Sequence, residues 1–161
     1  MNKLWAPWRI EYINQIKNKG CILCNILKEK QDKKNFILFR SNYCFAVLNT
    51  YPYNNGHIMI VPNRHIKSLE KLKDNELLDM NKSLIKIKST LKRTLNPGGF
   101  NIGMNIGSIA GAGIDKHLHM HIVPRWQGDT NFMPVLTNTK IISQSLKELY
   151  ILLKKEIIHH P

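Results

Sequence analysis

Long apolar runs are missing from this chain of 161 residues; no stretch nears the ~20 residues that cross a bilayer as a helix. That argues against a membrane span. Cysteine is sparse, with only Cys21, Cys24 and Cys44. A small, odd number of thiols argues against a disulfide scaffold. The opening "MNKLWAPWRIEYINQ" carries two tryptophans and several charges where a secretory leader has an apolar stretch. The expectation is a mature N-terminus on a cytoplasmic protein. Acidic residues are also scarce, 11 against 24 Lys+Arg, for a net charge of +13. Such an excess favours polyanionic partners such as nucleic acid, phosphate-rich small molecules or an anionic membrane face. Most of it is lysine scattered through "NILKEKQDKK", the middle of the chain and the tail, which fits a solvated surface equally well.

Hydrophobic content is ordinary at 43%, so the chain is not of a disordered type. No internal repeat or linker interrupts it, and residues 1–161 read as one domain with a single core. Within 35–65, "NFILF", "CFAVLN" and "GHIMIVP" read as strands, and "YPYNNG" (51–56) reads as a turn. Leu77, Met80, Leu84, Ile87, Leu91 and Leu95 recur at spacings of three and four, predicting a helix over 74–95. Asp74 is the expected N-cap, and "NPGG" (96–99) stops the helix. "FNIGMNIG" (100–107) alternates as a strand does, "SIAGAGID" (108–115) is a small-residue loop, and "KHLHMHIVPRW" (116–126) is the next strand. A second helix is expected over about 139–158, with Ile142, Leu146, Leu149, Tyr150, Leu153 and Ile157 on its apolar stripe. The order predicts an α+β fold: an antiparallel sheet of about five strands with two main helices.

In "HLHMHIV" the three histidines fall at every second position. On a strand His117, His119 and His121 share one face, while Leu118, Met120 and Ile122 face the core. Two chemistries compete for such a row. Imidazole is a common zinc ligand. Neutral imidazole is also a nucleophile near pH 7, because its unperturbed pKa is about 6.5. The loop "GSIAGAG" just before the row has side chains small enough for backbone N–H groups to approach a phosphate. A glycine-rich loop entering a histidine strand in a basic protein points to attack on phosphorus. Separately, "CILC" (21–24) is a Cys-x-x-Cys pair in the N-terminal segment 1–30, open to metal or redox use. The βαβ context of a redox pair is not evident.

The alternation His-φ-His-φ-His-φ-φ resembles the signature of the histidine triad superfamily of nucleotide hydrolases and transferases. The resemblance extends to "LWAPWR", "VLNTYPYNNGHIMIVPNRH", "GFNIGMNIG", "AGAGIDKHLHMHIVPRW" and "GDTNFMPV". These look like the bacterial branch related to diadenosine tetraphosphate phosphorylase.

The resemblance implies a histidine-triad fold and a nucleotidyl hydrolase or transferase acting on the α-phosphate of dinucleoside polyphosphates. It implies His119 as the nucleophile that forms a covalent nucleotidyl-histidine, with His121 and His57 lining the phosphate site. It places Asn49 at the ribose hydroxyls and Asn105 near the α-phosphate. The backbone of Gly111, Ala112 and Gly113 would face the phosphate. It implies a structural zinc on Cys21, Cys24, His65 and His117, no organic cofactor, an adenine nucleotide substrate and a homodimer. One departure stands out: other branches carry Gln and then Ser or Thr where this chain has Gly113 and Ile114. Side-chain help to the leaving group is lost there, which favours a good leaving group such as ATP or ADP.

Rival readings are a nucleotide-binding module with weak or no catalysis, a metalloenzyme whose triad holds the metal, and nucleic-acid binding through basic surface alone. The last is the least expected.

Overall fold

The computed structural model describes residues 20–129, 142 and 144–160. The tryptophans of "LWAPWR" and most of "GDTNFMPV" lie outside the described residues. In chain order the elements are α1 (Ile22–Glu29), β1 (Ile37–Arg40), β2 (Cys44–Leu48), β3 (Ile58–Pro62), α2 (Asp74–Leu95), β4 (Gly99–Gly103), β5 (Met120–Arg125) and α3 (Leu146–His159). The five strands form one sheet in the order β1-β2-β3-β5-β4, every neighbouring pair antiparallel. The α+β expectation holds.

Strand β2 shows how the sheet is clothed. Cys44, Ala46 and Leu48 enter the larger core cluster, whereas Phe45 and Val47 enter a smaller one. All five are buried, so β2 reads as a continuous apolar run rather than a half-wet alternation. On the larger side α2 brings Met80, Ile87 and Leu91, and α3 brings Leu149, Tyr150, Leu153 and Ile157. The other side is covered by α1 through Leu23, over residues of β1, β2 and β3 only. The histidines lie on that second side, next to where the helical cover ends.

Three local expectations are corrected. Asp74 is the first residue of α2 and not its cap. The orphan N–H of Lys73 is instead taken by the carboxylate of Glu76 at 2.8 Å, a side chain three residues into the helix reaching back. The C-terminal helix starts at Leu146, where Ser145 accepts from the Glu148 N–H at 3.3 Å. Ile142 precedes it, and residues 139–141 and 143 lie outside the described residues. Strand β5 begins at Met120, so His117, at a bend, and His119 precede the regular ladder. Their alternation persists nonetheless: Leu118 and Ile122 are in the larger core, and Met120 packs against it.

Candidate active site and metal centre

The turn before β3 positions the first functional side chain. Gly56 has φ +77°, and a Cβ there would sit 2.9 Å from Leu95 Cδ1 and 3.0 Å from Pro124 Cγ. Only glycine fits that close approach to α2 and β5. Asn54 ties the same turn to β5 by donating to the Pro124 carbonyl at 3.1 Å and the Asp129 carboxylate at 2.8 Å. So held, the turn aims the Tyr53 N–H at His57 Nδ1, 3.0 Å away.

That one backbone donor sets the protons of two imidazoles. With Nδ1 of His57 accepting, its proton lies on Nε2, which donates to His121 Nδ1 at 2.8 Å. The His121 proton is therefore on Nε2. This buried N–H has no partner among the described residues. His119 is oriented independently: its Nδ1–H donates to the His117 carbonyl at 2.8 Å, leaving the lone pair on Nε2. The His119 and His121 rings meet edge to face with centroids 4.7 Å apart. A ring nitrogen with its lone pair free of the Nδ1 bond and an unpartnered donor thus lie on neighbouring rings.

Burial governs the charge of the cluster. His57 is 1% exposed, His119 5% and His121 7%. Desolvation, aided by the facing imidazoles, pushes His57 down to about 3 and His121 down to about 4. Burial also lowers His119, offset in part by its bond to the His117 carbonyl. All three are neutral imidazoles at neutral pH.

Of the remaining residues expected at the site, Asn49 reaches this cluster directly and Asn105 reaches it through Tyr53. Asn49 accepts from the Tyr51 N–H at 2.9 Å and places Nδ2 3.3 Å from His57 Nδ1. Asn105 lies 3.4 Å from both the Tyr53 hydroxyl and the Gly111 carbonyl. Gly111 has φ +84°, and its N–H is engaged by the Ser108 carbonyl at 3.1 Å. Ala112 and Gly113 continue the loop, and Ile114 packs against the smaller core cluster. Tyr53 was not among the expected site residues, yet its ring lies 4.6 Å from that of His57 and 5.7 Å from that of His121. The only signal in the sequence is an aromatic residue four before the histidine, inside a turn.

A second cluster forms at the start of the triad. Ligand atoms of Cys21, Cys24, His65 and His117 all lie within 4.8 Å of one another. His117 Nδ1 is 3.3 Å from Cys21 Sγ and 3.4 Å from Cys24 Sγ, and His65 Nδ1 is 3.3 Å from Cys24 Sγ. The His117 Nε2–H donates to the Pro62 carbonyl at 2.9 Å, so Nδ1 turns its lone pair toward the thiols. With Zn–S near 2.3 Å and Zn–N near 2.0 Å, a tetrahedral ion separates sulfur from nitrogen by about 3.5 Å. The donor set and spacing fit zinc, with a carbonyl behind one imidazole as metal sites commonly have. Burial and the adjacent Cys21 push the Cys24 thiol up to about 11, a proton that a bound cation would displace. His119 and His121 belong to no such grouping among the described residues.

Residues 30–128 match the HIT domain family. The chain is a member of the HIT family. It is 34% identical over 169 aligned residues to the AP-4-A phosphorylase of Mycobacterium tuberculosis, covering 100% of this chain and 87% of that protein. It is 30% identical over 93 residues to the asymmetrical bis(5'-nucleosyl)-tetraphosphatase of Schizosaccharomyces pombe, covering 58% of this chain and 50% of that one. Among solved structures, a histidine triad nucleotide-binding protein of Sulfolobus tokodaii superposes on this HIT protein with a TM-score of 0.68 and 27% identity, covering 86% of this chain and 90% of that one. A zinc-bound histidine triad protein of Mycobacterium smegmatis shares the fold with a TM-score of 0.70 and 21% identity, covering 87% and 94%. Among the described residues, no helix is long and apolar enough to cross a membrane.

Proposed function

We propose that this HIT protein is a nucleotidyltransferase that cleaves dinucleoside polyphosphates at the α-phosphate, with His119 Nε2 as the nucleophile. One observation carries the reading. The Nδ1–H of His119 is committed to a carbonyl, so the lone pair stands on Nε2, on the ring next to that of His121 with its unpartnered Nε2–H. The Nε2 pair attacks the α-phosphorus, a P–N bond forms, and the P–O bond to the departing polyphosphate breaks. In the second displacement an acceptor oxygen attacks phosphorus and returns the electron pair to Nε2. The His121 N–H and the His57 behind it stabilise charge on the phosphoryl oxygens. Asn49 is assigned to the ribose hydroxyls, Asn105 to the α-phosphate, and the loop Gly111, Ala112, Gly113 to the phosphate chain. Gly111 contributes shape there rather than its N–H, which is already bonded.

The similarity across the full chain to a protein named AP-4-A phosphorylase supports adenine dinucleotides as substrates and inorganic phosphate as the acceptor. Phosphorolysis of diadenosine tetraphosphate yields ADP and ATP; hydrolysis yields AMP and ATP, or ADP alone for a symmetrical cut. Product analysis with and without phosphate tests the choice, and formation of AMP in the presence of phosphate would contradict it. The lack of side-chain donors at Gly113 and Ile114 favours a second reading, a nucleotide-binding module. Tight nucleotide binding with negligible turnover would support that one.

Zinc is proposed as a structural ion on Cys21, Cys24, His65 and His117. Four protein ligands leave it no open position, so when bound it fastens the first turn of α1 to the start of the triad. Three free thiols fit a reducing cytoplasm. A homodimer is proposed as well. The edge strand β4 and its following loop expose Ile102, Ile106 and Ile109, and a mass in solution of one chain would contradict it.

A further inference from the structure

We infer that Tyr53 is a substrate-contacting residue whose hydroxyl donates a hydrogen bond to a phosphoryl oxygen, supplying a polar side chain that Gly113 and Ile114 do not. The inference rests on the proposed nucleotidyl transfer and extends it to a residue in the turn before β3. Three observations support it. The ring of Tyr53 lies against both His57 and His121, with centroids 4.6 and 5.7 Å away, so it forms a wall of the histidine pocket. Its hydroxyl accepts from Asn105 Nδ2 at 3.4 Å. The oxygen is thus turned toward the glycine-rich loop, whose Gly111 carbonyl lies 3.4 Å from the same Asn105 nitrogen. An oxygen that accepts from an amide keeps its own proton to give. Third, the residue is 50% exposed although its ring lies tilted against two imidazoles, which leaves room for an entering ligand.

The ligand that suits this arrangement is an anion with several acceptor oxygens. His121 Nε2–H is an unmet donor, and the phenol adds a second from the turn before β3. A buried donor left unmet is unfavourable, so a phosphoryl oxygen gains by reaching His121. Tyr53 plays a further part through its backbone, since its N–H fixes the proton position of His57. The hydroxyl is separable from that part, because phenylalanine retains both the N–H and the ring.

The test compares Tyr53→Phe with the native protein in steady-state cleavage of diadenosine tetraphosphate and in inhibition by AMP and by adenosine. A hydrogen bond to a charged oxygen predicts that kcat/KM falls about 10- to 100-fold. It also predicts weaker AMP inhibition with adenosine inhibition unchanged, a contrast that general disturbance of the turn would not produce. Activity and AMP inhibition within twofold of native, or equal weakening of AMP and adenosine, would overturn the inference. His119→Ala, measured alongside, separates the two claims. Native turnover in that variant sinks the proposed mechanism, whereas an inactive His119→Ala beside a fully active Tyr53→Phe sinks only the role given to Tyr53.

Discussion

His57 Nε2 lies 2.8 Å from His121 Nδ1, and the bond runs one way because the Tyr53 N–H already occupies His57 Nδ1. A backbone amide in a turn thereby decides which nitrogen of His121, on the neighbouring strand β5, carries its proton into the pocket. Ring orientation and protonation are set before any substrate arrives, which is what preorganised charge stabilisation requires.

Removing the relay is therefore expected to act through His121. His57→Ala frees His121 to adopt the other tautomer, so kcat is predicted to fall about 10- to 100-fold while circular dichroism stays native. Rates within twofold of native would show that His57 does not orient its neighbour.

Stability should depend on pH through the same pair. His57 and His121 titrate near 3 and 4 when folded, chiefly because they are buried. In the unfolded chain histidine titrates near 6.5. Between those limits the unfolded state binds more protons, so stability is lost as pH falls below about 6.5. The two together predict a loss of up to about 4 kcal/mol by pH 5, at ~1.4 kcal/mol per pH unit per histidine. Urea unfolding at pH 7 and pH 5 measures it, and equal midpoints would contradict the buried neutral assignment.

Metal removal should be felt as loss of structure before loss of chemistry. The protein purified with zinc is expected to hold one ion per chain, and Cys24→Ser to hold little. The thermal midpoint of the variant should drop by more than about 5 °C, since ligation free energy is folding free energy. Elemental analysis and calorimetry report both, and an unchanged midpoint in the zinc-free protein would contradict a structural ion.

Gly56→Ala tests the turn. It combines a φ of +77° with a Cβ 2.9 Å from Leu95 Cδ1, so destabilisation of about 2–4 kcal/mol is expected. Because His57 follows directly, activity should fall even where the variant stays folded. Chemical denaturation at neutral pH checks the first part and initial rates the second.

The parts of this architecture that were legible in sequence are those with a period. The leucine spacing of α2 located Asp74–Leu95, and its end falls where Asn96 takes a left-handed φ of 44°. The histidine alternation survived even though only His121 lies in regular β5, because Leu118 and Ile122 bury on the opposite side. Short or tertiary features were not legible. Helix α1 has eight residues and buries only Leu23, too little to stand out from a lysine-rich stretch. The cap of α2 was misread because Glu76 serves two neighbours at once, the Lys73 N–H and the Arg64 guanidinium, and the second comes from the chain beyond β3. Tyr53 was missed for a similar reason: its place over the histidines arises only when the turn folds back across β3 and β5.

The central claim is that a nucleotide becomes bonded to one imidazole. Rapid quenching of the enzyme with diadenosine tetraphosphate, followed by trypsin digestion and mass spectrometry, tests it directly. Cleavage after Lys116 and Arg125 isolates the segment from His117 to Arg125. The expected result is a single nucleotidyl adduct on that peptide, localised to His119, that forms and decays as fast as turnover. An adduct on any other residue, or product formed at full rate with no adduct at all, would contradict the account.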